Sequence, residues 1–136
     1  MLLFLIISNI VLKNIDMEIL GENNPISDFE DIDKGKTAAV VAYLTIIGLI
    51  IAFVININKK STFASYHIKQ AIGLTLTGFT LSIIERIIHN GFILGVLSLG
   101  LLVLWIMGIV NAITEKQKPV PLLGEKYEEF FKNLNV

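Results

Sequence analysis

The residues of this chain best suited to chemistry gather around its two histidines. The first lies in Tyr66-His67-Ile68-Lys69-Gln70, and the second closes Glu85-Arg86-Ile87-Ile88-His89. On a helix His67 and Gln70, three apart, share a face, whereas Lys69 points elsewhere. One imidazole with no carboxylate nearby offers too few ligands for a metal. The roles open to this cluster are binding of lipid headgroups and capping of a neighbouring helix, with Lys116 and Lys118 as a further basic rim for anionic lipid. Glu85 and His89 end a second series, Ala71, Thr75, Gly78, Ser82, Glu85 and His89, whose alternating steps of four and three put it on one helical face. In a lipid-embedded helix such a face serves close packing, because small residues let backbones approach and hydroxyls bond across the interface. The competing chemistry is a polar path with Glu85 and His89 at its mouth as a proton or substrate relay. Packing is the preferred reading, since Glu85 adjoins Arg86 at the helix edge, where solvation is cheap, and a relay needs an ionisable group nearer the middle.

Other chemistries lack their residues. The chain has no cysteine, which removes disulfides, thiolate metal sites and cysteine nucleophiles together. A Walker loop, a GxSxG elbow and an HExxH pair are missing too. The expectation is a non-enzymatic protein without catalytic residue, cofactor or metal. A formal net charge of -1 gives no field that would draw nucleic acid.

The elements that must position these residues are apolar. Charged residues make up 17% of the chain and hydrophobic ones 54%, against about a quarter charged in an ordinary soluble domain. Thr37 to Asn58, Ala71 to Ile84 and Gly91 to Thr114 contain no Asp, Glu, Lys or Arg. A span needs about twenty apolar residues, so the expected fold is all-α: an integral membrane bundle with three transmembrane helices, at about residues 37–57, 68–88 and 92–113. Ser61 or Thr62 is expected to cap the second helix, and Asn90-Gly91 to turn the chain into the third. Small and polar stripes mark the first helix (Ala38, Ala42, Thr45, Ala52, Asn56) and the start of the third (Gly91, Gly95, Ser98). Asn111, near the end of the third, is expected to bond a partner helix or the turn containing His67.

Three regions follow: an N-terminal apolar run and polar acidic tail (1–36), the membrane domain (37–117), and a proline-containing linker with an interfacial helix (118–136). The run Met1 to Leu12 is shorter than a span and lacks the basic start and small-residue cleavage site of a signal peptide, and Met17 is an alternative start. Glu18 to Lys36 reads as a mobile polar tail. After Pro119 and Pro121, Glu125 to Leu134 places Tyr127, Phe130, Phe131 and Leu134 on one face, as in a short amphipathic helix lying on a membrane surface. With three spans, Lys59, Lys60, Lys69, Lys116, Lys118, Lys126 and Lys132 lie on one side, opposite Lys34, Lys36 and Arg86. The excess of positive charge stays inside, which puts the C-terminus in the cytoplasm and the N-terminal tail outside.

Lys36-Thr37-Ala38 through Gly48, Phe63-Ala64-Ser65-Tyr66-His67-Ile68-Lys69-Gln70-Ala71, Leu104-Trp105-Ile106-Met107-Gly108-Ile109-Val110-Asn111-Ala112 and Lys118-Pro119-Val120-Pro121-Leu122-Leu123-Gly124 form a recognisable set. In order and spacing this set resembles small bacterial membrane proteins related to a chloroplast inner-envelope import component, the twenty-kilodalton Tic subunit. The resemblance covers about residues 34–134. It implies a multi-pass protein of the bacterial inner membrane, associated with itself or with other membrane subunits, since the plastid member contributes to a protein-conducting channel within a complex. That member has four membrane helices, and the three expected here depart from it. His67, Lys69, Gln70, Trp105, Gly108, Asn111, Pro119, Pro121 and Gly124 match the pattern, none as an established catalytic residue. The first expectation is therefore a subunit of a membrane assembly; the second is a small oligomeric transporter or channel using the polar face of the second helix.

Overall fold

A computed structural model describes residues 1–20 and 25–136 and is all-helical among them. Six helices follow in order: α1 (Leu2–Leu20), α2 (Pro25–Leu44), α3 (Ile46–Lys59), α4 (Thr62–Ile88), α5 (Gly91–Ile113) and α6 (Gly124–Phe130). By length and composition α4 and α5 are apolar enough to cross a membrane. At 1.5 Å per residue they rise about 40 and 35 Å, against about 30 Å of hydrocarbon. Ser61 caps α4, its hydroxyl accepting from the Ala64 N–H at 3.1 Å. His89, in the left-handed region at φ 49°, ends it. Asn90 then caps α5, its side-chain oxygen accepting from Ile93 N–H at 3.4 Å. The two long helices thus form a hairpin.

The expected first span is not one helix. Thr45 is extended (φ -156°, ψ 167°), and its hydroxyl accepts from the Gly48 N–H at 2.9 Å, so a new helix starts where the old one would have continued. Gly48 allows the return, because a Cβ there would lie 2.5 Å from the Val41 carbonyl oxygen. At its far end α3 comes back beside α2: the Lys59 ammonium donates to the Lys34 carbonyl at 3.2 Å. At 14 residues, α3 rises only about 21 Å and cannot span alone. The placement of Lys34 and Lys36 opposite Lys59 and Lys60 is corrected accordingly, since all four lie at one end.

The tail is corrected as well. From Pro25 onward the segment expected to be mobile is helical, and Asp31 ties it to the start of α4; residues 21–24 lie outside the described residues. The Asp31 carboxylate accepts from Thr62 N–H at 2.9 Å, Thr62 hydroxyl at 2.7 Å and Phe63 N–H at 2.8 Å. These are N–H groups that a helix start leaves without a partner in its own ladder. Lys36 pairs with Glu115, just beyond α5, at 2.6 Å.

The core lies at this end. Ala38, Ala39 and Ala42 of α2 and Ala52 of α3 meet Phe63, Ala64, Ile68, Ala71 and Leu74 of α4, with Ala112 of α5 and Val120 beyond it. Alanines on facing helices let the backbones approach closely, the packing that works where lipid tails are as apolar as the side chains. Toward the other end Leu94 is buried and Leu81 and Ile84 are partly covered, while Phe79, Ile83, Ile87, Phe92, Val96 and Leu99 are exposed. The C-terminal helix is shorter than expected and packs against α4. Tyr127 turns onto α4 and shares a 2.6 Å hydrogen bond with the Thr77 hydroxyl, leaving Phe130 exposed.

Candidate functional site

The packed end holds four buried polar side chains, Asn56, Ser61, His67 and Gln70. Each is fixed by partners far away in sequence. His67 stands 3.1 Å from the Lys116 carbonyl through Nε2 and 3.2 Å from the Tyr43 hydroxyl through Nδ1. A carbonyl only accepts, so Nε2 carries the hydrogen, and Nδ1 accepts from the Tyr43 O–H; the neutral imidazole satisfies both contacts. The edges and faces of Phe63, Tyr66 and Tyr43 surround the ring at centroid distances of 4.7, 5.3 and 5.9 Å. This imidazole is a structural bridge between α2, α4 and the chain leaving α5.

Tyr43 also carries the break between α2 and α3. Its carbonyl, freed at the end of α2, accepts from the Trp105 indole N–H at 2.8 Å. Its ring lies on α5 at Gly108, where a Cβ would stand 2.6 Å from Cε1. A break between helices frees backbone groups that need partners, and Trp105 and Thr45 supply them on the two sides of the break.

Gln70 donates through Nε2 to the Gly124 carbonyl at 2.9 Å and to Glu128 at 3.2 Å, and its Oε1 is buried without a partner. It fastens the start of α6 to α4. Burial raises the Glu128 carboxyl above its ordinary value, against the opposing effects of the Gln70 bond and the nearby Lys69 charge. At Asp31 burial also pushes upward, but the Thr62 hydroxyl and the Phe63 and Thr62 N–H groups outweigh it and hold the carboxyl below its ordinary 3.8.

Of the residues singled out from sequence, His67 and Gln70 fall in one cluster, with Lys69 beside it and half-buried. Asn111 joins indirectly. It donates to the Lys118 carbonyl at 3.1 Å and so shapes the loop whose Lys116 carbonyl His67 bonds. The remaining four do not converge. The Thr75 and Ser82 hydroxyls bond carbonyls of their own helix, at Ala71 (2.8 Å) and Gly78 (3.0 Å). Glu85 and His89 are exposed at the far end, where His89 Nδ1 lies 3.1 Å from the Ile87 carbonyl. Two residues outside that set matter more to the site. Asp31 caps α4, and Asn56 donates to the Ser61 carbonyl at 3.0 Å and the Val136 carbonyl at 3.1 Å while accepting from Ser61 N–H at 3.0 Å. Asn56 had a signal, since an amide at the end of an apolar run needs partners; Asp31 had none.

A cavity of about 600 Å³ opens beside this network, walled by the first turns of α4, the turn at Lys60 and the C-terminal segment. Among the described residues no group of three or more His, Cys, Asp or Glu side chains is placed to hold a metal. Comparison with protein-family models, with curated proteins and with solved structures finds no match to this chain.

Proposed function

We propose that the chain is a non-enzymatic membrane protein that crosses the bilayer as the α4–α5 hairpin and works as a subunit of a membrane assembly. The observation that carries this reading is the exposure of the two long helices. Only 17% of the most apolar stretch of α4 and 11% of that of α5 is buried within the chain. A soluble core helix is covered on its apolar face, so these surfaces call for lipid or for another apolar helix.

On this reading α2–α3 enters the bilayer from the lysine-rich end and turns back inside it. The tip meets α5 at Trp105, eight residues before Ile113 and so about 12 Å inside that end, near the bilayer midplane. Leu44, Ile46 and Ile47 at the tip are exposed and apolar, as lipid requires. Among residues 25–136, Lys34, Lys36, Lys59, Lys60, Lys69, Lys116, Lys118, Lys126 and Lys132 then share one side, and Arg86 stands on the other. The asymmetry favours a cytoplasmic lysine-rich end, with residues 31–36 now beside the C-terminal segment. Participation in protein passage is carried by the resemblance of the four motifs to the import component. Thr75 and Ser82 bond their own backbone and give no support to a polar path along α4.

The test is extraction of native membranes with a mild detergent, followed by measurement of the protein mass of the particle. The proposal expects the chain in the carbonate-resistant membrane fraction and in a particle well above its own 15.1 kDa. A strictly monomeric particle contradicts the subunit reading, and release by carbonate contradicts the membrane reading.

A further inference from the structure

The cavity beside the buried network has a composition that the fold does not use. Lys60, Lys69 and Lys132 reach it from three different segments, and none of them makes an ion pair among the described residues. Tyr66, on the same wall, has a hydroxyl enclosed by protein and without a hydrogen-bond partner. A buried hydroxyl left unpaired costs free energy that a ligand would recover. The α4 N–H groups close by are already taken by Asp31 and Ser61, so they do not explain the positive charge. Glu128 is the one carboxylate side chain on the wall, and it is partly engaged by Gln70. Three ammonium groups against the Glu128 side chain and the α-carboxylate of Val136, which also lines the cavity, leave an excess of positive charge facing a space of about 600 Å³. Ile57 and Leu134 add an apolar margin to the same space.

We propose that this cavity binds the phosphate headgroup of an anionic phospholipid, with Lys60, Lys69 and Lys132 around the phosphate, the Tyr66 hydroxyl donating to it, and Ile57 and Leu134 against the start of the acyl region. The proposal rests on the membrane reading above, which puts the cavity at headgroup level beside the end of the spans. A lipid is favoured over a free anion because the apolar margin belongs to the same cavity and has no use for a free phosphate. The site differs from the rim expected from Lys116 and Lys118, neither of which lines it.

The test uses the full chain in neutral detergent micelles doped with phosphatidylglycerol or phosphatidylcholine, with bound lipid counted by native mass spectrometry. The wild type should retain phosphatidylglycerol in preference to phosphatidylcholine. Each lysine near a membrane surface contributes about 1 kcal/mol, or roughly fivefold. Combined Lys60→Gln, Lys69→Gln and Lys132→Gln should therefore abolish the preference, whereas Lys34→Gln, Lys118→Gln and Lys126→Gln together, with the same loss of charge, should keep it. Tyr66→Phe removes only the unpaired hydroxyl, so it should weaken binding severalfold without lowering thermal stability. Equal loss in both triple variants, or no preference in the wild type, overturns the proposal while leaving the membrane reading intact. Displacement by millimolar inorganic phosphate as effective as by phosphatidylglycerol would assign the site to a free anion and overturn the lipid. A chain that remains soluble without detergent sinks both readings.

Discussion

The two ends of the α4–α5 hairpin are made of similar residues and are built in opposite ways. At the lysine-rich end, glycine and alanine faces are filled by neighbours, and every buried amide and imidazole reaches across to another segment. At the far end Gly91, Gly95 and Gly100 have open space where a side chain would stand, and the hydroxyls of Thr80 and Ser82 fold back onto their own helix. The difference teaches that one end is specified by contacts within the chain, while the other leaves its small-residue and apolar faces open. A small residue in an apolar helix therefore marks a packing surface only where another element arrives.

The sharpest way to break this comparison is a pair of matched substitutions. Gly108→Val drives a side chain into the Tyr43 ring, and overpacking of this kind costs about 1–3 kcal/mol. The displaced Tyr43 also carries the His67 bond, which puts this variant at the upper end of that range. Gly95→Val meets nothing within 4 Å and should leave the unfolding midpoint in mixed micelles unchanged. Equal effects would erase the distinction between the two ends.

The histidines give a second pair. His67→Phe keeps the ring but leaves the Tyr43 hydroxyl and the Lys116 carbonyl without their partner, at about 1–3 kcal/mol per buried group. His89→Ala, at an exposed turn, should stay within about 0.5 kcal/mol. The same denaturation assay reads both.

Acid provides a third contrast, confined to the packed end. The Asp31 carboxyl is held below its ordinary value, so its ionised form is bound more tightly in the folded chain than in the unfolded one. Its stabilisation is full above about pH 3.8 and is lost as pH falls through the lower folded value. Glu128, raised by burial, acts oppositely: its contribution favours folding at low pH and is lost as pH rises from 4.5 through its folded value. Asp31→Asn should lower stability at pH 7 by about 1 kcal/mol, the size of a helix cap, and should flatten the acid limb of the stability profile. An unchanged acid limb would remove Asp31 from the account. The smallest effect is expected of Ser82→Ala, within about 0.5 kcal/mol, because its hydroxyl bonds only its own helix on an exposed face.

Much of the long hairpin was legible in the residues. Uninterrupted apolar length marked α5 and the outer part of α4, Ser61 was one of two candidate caps, and Asn90-Gly91 marked the turn. The break at Thr45 was not legible. A threonine inside an apolar run reads as part of a helix, and what turns it into a cap is the close approach at Gly48 and the Trp105 N–H, which bonds Tyr43 from 62 residues away. Asp31 was hidden for the same reason, since its partners at Thr62 and Phe63 are supplied by the fold. Within the site, His67 and Gln70 were visible as polar residues among apolar ones. The stripe from Thr75 to His89 was visible as a period, but periodicity does not report whether a hydroxyl turns outward or back to its own carbonyl.

The central claim, that α2–α3 enters and leaves the bilayer at one side, is tested most directly by site-directed labelling. The chain has no cysteine of its own, so Asp33→Cys and Asn58→Cys each give a single reporter at an exposed position on either side of the hairpin. A membrane-impermeant maleimide applied to sealed cells and then to opened ones should find both protected in the first and both reactive in the second, with His89→Cys reactive in each. Labelling of Asp33→Cys from outside, with Asn58→Cys protected, would show that residues 37–57 cross the membrane and would contradict the account.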